Sequence, residues 1–131
     1  MEEKNNTKRI EALLEKMKKE RGYVLPPLEY AVKQDVDFME AYNNLYQRVL
    51  MDGKALSAKT REFITIALLS YRGQDHAVYE HAKRAMRLGA SRQELLEAIE
   101  TSTLAGGAPA FATGLKALMR IDKEKQQDDS D

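Results

Sequence analysis

Apolar residues recur along this chain every three or four positions, and glycines or short helix-capping side chains separate the runs. Ile10, Leu13, Leu14 and Met17 stand at i, i+3, i+4 and i+7, the stripe of an amphipathic helix over about 8–21. Asn6 or Thr7 is expected to cap it and Gly22 to end it. A second helical region is expected over about 27–51, with a break near Gln34-Asp35 because Asp35 or Asp37 suits a cap. Its apolar stripe reads Phe38, Ala41, Tyr42, Leu45, Tyr46 and Val49, and these are expected in the core.

Ser57 is expected to cap a third helix from Ala58 to about Tyr71. Its middle, Phe63 to Leu69, is apolar around most of the circumference, which predicts burial on nearly every side. A buried strand is the other reading of such a run, but the chain offers no partner strand. Further helices are expected from about Asp75 to Leu88, stopped by Gly89, and from the capping box Ser91-Arg92-Gln93-Glu94 onward through Leu95, Leu96 and Ile99. Gly106-Gly107 and Pro109 interrupt the pattern before a sixth helix, about 110–121, with Leu115, Leu118 and Met119 inward. The polar residues from Asp122 to Asp131 are expected to fray. The reading is therefore all-α, with about six helices: an N-terminal amphipathic helix in 1–25, a helical domain over 26–121 and a polar tail over 122–131.

Charge and cysteine content remove whole classes of function. Lys+Arg and Asp+Glu both number 21, so no net field attracts nucleic acid or an anionic membrane. The start, Met1 to Lys8, lacks the plan of a secretory signal, and the longest apolar run is too short to span a bilayer. A cytoplasmic location is expected. There is no cysteine, so disulfides, thiolate metal sites and thiol nucleophiles are all excluded.

The remaining candidates for chemistry are few. His76 and His81 are the two histidines; both fall on the fourth expected helix, and Glu62 is the acid at the edge of the apolar third helix. Five residues correspond to about 500°, so the two rings diverge by roughly 140° around an ideal helix. That is not the i, i+4 spacing that puts two imidazoles on one face, and no metal site is expected. Gly106-Gly107 follows no strand, so it suits close helix approach better than phosphate binding. Arg72, Lys83 and Arg84 lie nearby in sequence and are expected to face solvent.

Taken in order, these residues resemble the active-site segment of the carboxymuconolactone decarboxylase-like superfamily, which includes the alkylhydroperoxidase AhpD-type proteins. The resemblance rests on Glu62, then Gln74-Asp75-His76-Ala77, then Val78-Tyr79-Glu80-His81. The flanks Ala55 to Glu62 and Arg87 to Glu94, and Gly106-Gly107-Ala108-Pro109-Ala110, agree with it, so that it covers about 38–119. Gln74 and Ala77 stand where the redox branch of that superfamily has its two thiols, so a dithiol peroxidase mechanism is excluded.

The resemblance implies an AhpD-like helical fold assembling as a trimer or hexamer. It also implies kinship with the decarboxylase branch, which works on 4-carboxymuconolactone without metal or organic cofactor. Catalysis would fall to His81 as general acid, Glu62 as its orienting carboxylate and His76 as assisting donor or second acid. The substrate expected is a small carboxylated lactone or keto acid. The alternative is a non-enzymatic binding or assembly protein that retains the fold. Zero net charge and the number of apolar stripes also favour self-association.

Overall fold

The computed structural model describes residues 1–130, which form seven helices: α1 (Glu2–Arg21), α2 (Pro26–Gln34), α3 (Val36–Leu50), α4 (Ala58–Tyr71), α5 (Asp75–Arg87), α6 (Arg92–Thr101) and α7 (Thr103–Ser130). The described residues contain no strand. The chain divides into two compact units, 1–51 and 52–131.

In the first unit, Leu13 and Met17 of α1 pack with Val32, Val36 and Met39, and Ile10 and Leu14 border them, as the stripe on α1 predicts. Helix α1 begins at Glu2 rather than after Asn6 or Thr7. Glu2 and Glu3 suit the positive end of the helix dipole, and Thr7 donates back to the Glu3 carbonyl instead of capping. Asp35 ends α2 and caps α3, its carboxylate accepting from the Phe38 amide at 3.0 Å. That cap is why there are seven helices and not six.

The expected core stripe of α3 is corrected by the structure. The buried residues are Val36, Met39, Asn43 and Leu50, whereas Phe38, Tyr42, Leu45 and Val49 are exposed. The polar partners decide the rotation. Buried Asn43 donates to Glu20 at 3.3 Å and accepts from Arg21 at 3.0 Å, and Arg9 pairs with both Asp37 and Glu40. Arg21 also lies over the ring of Tyr46, 3.7 Å from its centroid.

The second unit has a core of Ile66, Val78, Tyr79, Ala82, Ala85, Leu95, Ile99, Ala117, Leu118 and Ile121. Ser57 caps α4 by accepting from the Thr60 amide at 3.1 Å. Helix α5 ends in a Schellman arrangement around Gly89 at φ 98°, where the Ala90 amide reaches the Ala85 carbonyl and the Gly89 amide reaches Met86. Both halves of the Ser91–Glu94 capping box form at the start of α6.

Helix α7 bends at Gly107, whose φ of 66° and ψ of −161° are non-helical. A Cβ on Gly106 would lie 2.6 Å from the Ala110 Cβ and 3.0 Å from the Tyr71 ring, so Gly106 serves close packing and Gly107 the bend. Leu118 is buried and Leu115 half-buried, but Met119 is exposed.

The tail continues α7 as helix to Ser130, and Asp131 lies outside the described residues. Its first turns are anchored by Asp122 to Arg92 at 2.8–3.0 Å and by Glu124 to the Tyr79 hydroxyl at 2.6–2.7 Å.

Candidate active site

Helix α4 buries one residue per turn: Ala58, Glu62, Ile66 and Ser70. The burial expected on nearly all sides is not found, since Ile64, Leu68 and Tyr71 are exposed. The one buried line nevertheless carries a carboxylate with no accessible surface, that of Glu62. Burying a charge of that kind is costly unless it is paired and hydrogen-bonded.

Helix α5 supplies both partners from one face, three residues apart. The Arg84 guanidinium donates to Oε1 of Glu62 at 2.9 Å, and Nδ1 of His81 lies 2.9 Å from Oε2. Arg84 is 5% exposed, so the expectation that it faces solvent is corrected. Sequence carries only part of the signal: Arg84 shares a helix face with His81, and a buried glutamate needs a cation, but nothing local shows that this face meets Glu62.

The arrangement fixes the chemistry of His81. A carboxylate accepts, so Nδ1 carries the proton toward Glu62, and Nε2 is the nitrogen left for a reactant. The His81 side chain is 23% exposed while Glu62 and Arg84 are enclosed. The triad is thus a proton-handling imidazole at an accessible edge, oriented from behind by a buried carboxylate that a guanidinium steadies. When Nε2 is protonated, the carboxylate sits opposite the charge that forms.

His76 has different neighbours. It projects from the first turn of α5, and its side chain is 60% exposed. Its Nδ1 lies 2.9 Å from Nη1 of Arg120, its Nε2 lies 3.5 Å from Glu80, and its ring stacks near Tyr79 at 6.1 Å between centroids. The structure therefore joins Glu62 to His81 and adds Arg84, while His76 belongs to a second group with Tyr79, Glu80, Arg120 and Glu124. Lys83 is tied to that group through the Tyr79 hydroxyl at 3.2 Å, and Arg72 is exposed.

Comparison with known proteins adds the following. A model of the carboxymuconolactone decarboxylase family matches residues 37–119. The uncharacterised protein MJ1511 of Methanocaldococcus jannaschii is 27% identical over 94 residues, 72% of this chain and 87% of its own length. The uncharacterised protein H16_B0147 of Cupriavidus necator is 32% identical over 84 residues, 64% of this chain and 74% of its own length.

Among solved structures, a Burkholderia xenovorans protein provisionally assigned as a carboxymuconolactone decarboxylase superposes with a TM-score of 0.78. It has 22% identity, and the match covers 96% of this chain and 98% of that one. The Legionella pneumophila carboxymuconolactone decarboxylase family protein lpg0406 gives 0.68 at 24% identity, covering 87% and 95%. These two likenesses establish the shared helical fold.

Proposed function

The chain belongs to the carboxymuconolactone decarboxylase family, and on that premise we propose that it is a cofactor-free acid–base enzyme that decarboxylates a small carboxylated lactone or keto acid. The observation that supports this most is the buried Glu62 carboxylate held between Arg84 and Nδ1 of a part-exposed His81. In the reaction, the bond from carbon to the departing carboxylate breaks, and its electron pair passes into a conjugated carbonyl as an enolate. His81, protonated at Nε2, delivers a proton to carbon; carbon dioxide leaves and the neutral ring is recharged from solvent. Glu62 holds the ring and faces the imidazolium that precedes transfer, and Arg84 keeps Glu62 in place. His76 assists as a hydrogen-bond donor to developing oxyanion charge. We place this activity in the cytoplasm, in a trimer or hexamer of the chain.

The test is turnover of 4-carboxymuconolactone, related carboxylated lactones and β-keto acids by the purified protein and by His81→Gln. The expected result is decarboxylation by the wild type and a fall in kcat of about 10²–10⁴ in the variant, the range for a positioned general acid. A wild type that turns over none of the panel overturns the enzymatic reading. A second reading, a binding or assembly protein that retains the fold, is favoured by the exposed apolar residues of α3 and α4. It predicts no turnover together with stable association.

A further inference from the structure

The two histidines are held with opposite polarity. His81 presents Nδ1 to a carboxylate, which only accepts; His76 presents Nδ1 to a guanidinium, which only donates. A ring nitrogen that accepts from arginine carries no proton, so the proton of His76 sits on Nε2, toward Glu80 at 3.5 Å. Arg120 has further partners of its own. Its guanidinium lies 3.7 Å from the centroid of the Tyr79 ring, and its Nε lies 3.5 Å from Glu124. Glu124 in turn accepts from the buried Tyr79 hydroxyl, which also accepts from Lys83 at 3.2 Å. Tyr79 and Lys83 stand on α5, Arg120 and Glu124 on α7, so the guanidinium meets a ring from the neighbouring helix and a carboxylate from its own.

From this geometry we infer that Arg120 is a positioning residue that locks His76 as the neutral Nε2–H tautomer. His76 then acts as a hydrogen-bond donor, and proton delivery is left to His81. The inference rests on the proposed function only for its catalytic consequence; the tautomer is a property of the resting protein.

The experiment is long-range proton–nitrogen correlation on protein with 15N-labelled imidazoles, for the wild type, Arg120→Lys and Arg120→Met. In the wild type, His76 is expected as Nε2–H and His81 as Nδ1–H. Arg120→Lys retains a donor and should keep the His76 pattern, whereas Arg120→Met should give mixed tautomers at His76 with His81 unchanged. An Nδ1–H His76 in the wild type, or the same His76 pattern in Arg120→Met, overturns the inference. Where turnover is measurable, Arg120→Met should lower kcat by no more than about 10²–10³-fold, the range for one donor at a developing oxyanion, and Arg120→Lys should recover most of it. Absence of turnover in every protein removes the decarboxylase reading and leaves the tautomer result standing.

Discussion

Glu62 shows how one buried charge organises its surroundings. With no accessible surface, its carboxylate depends on Arg84 and His81 to replace the water it has lost. Arg84→Met removes the main compensation, and the expected cost is about 3–5 kcal/mol of stability, read from urea unfolding. The double variant Glu62→Gln/Arg84→Met removes both charges and should cost clearly less than the sum of the two single changes, because the orphaned charge is the penalty. Additive costs would show that the pair is not coupled. The pairing of Glu62 with His81 was implied by the family resemblance that the order and spacing of the sequence carry. Arg84 was not, because an arginine on a helix surface and an arginine beneath a neighbouring helix look alike until the neighbour is in place.

The elements were legible wherever a local signal closes on itself. Ser57, Ser91 with Glu94, and Gly89 each satisfy backbone groups within a few residues, so the bounds of α4 and the joint between α5 and α6 could be read directly. Glu94 gives a pH prediction. Its carboxyl is held below the usual glutamate range, first by the Ser91 amide and then by Lys59. A lowered folded-state value means that the stabilisation is present above the ordinary carboxylate range and is lost as pH falls through the lowered value. The stability difference between the wild type and Glu94→Gln should therefore shrink as pH drops below about 4, measured by urea unfolding across a pH series. A difference constant down to pH 2 would contradict it. Asp122, lowered by its bond to Arg92, acts in the same direction.

Packing between elements makes a second prediction at this scale. A Cβ at Gly114 would lie 2.3 Å from Cγ2 of Ile99. Gly114→Ala should cost about 1–3 kcal/mol through overpacking of α6 against α7. Adding Ile99→Ala removes Cγ2 and Cγ1, the two atoms a Gly114 Cβ would approach most closely, and should make the Gly114→Ala step cheaper in that background than in the wild type. An equal cost in both backgrounds would place the strain elsewhere.

At the scale of the whole molecule, the apolar surface that no helix of the chain covers carries the prediction. On α3, Phe38 and Leu45 are 62% and 61% exposed; on α4, Leu68 is 59% exposed. Large apolar side chains left open in this way on either unit favour contact with another molecule, and zero net charge offers little repulsion between copies. Light scattering of the purified chain should give a trimer or hexamer, and Leu45→Glu or Leu68→Glu should shift it toward smaller species with the circular dichroism spectrum unchanged. A monomeric wild type would overturn this expectation.

The helical class, the helix ends that carry local caps and the exclusion of thiol chemistry came from residues close in the chain or from composition, whereas the Glu62–His81 pair, 19 residues apart, came from the family resemblance. Tertiary structure decided which way each helix faces. The aromatic stripe of α3 turned outward because Asn43 and Met39 found partners inside, and α4 buried a single line with its charge. His76 was given to Arg120 because α7 passes beside α5, and the polar tail stayed helical because Arg92 and Tyr79 hold it. In each case the deciding partner lies far along the chain, where periodicity carries no information.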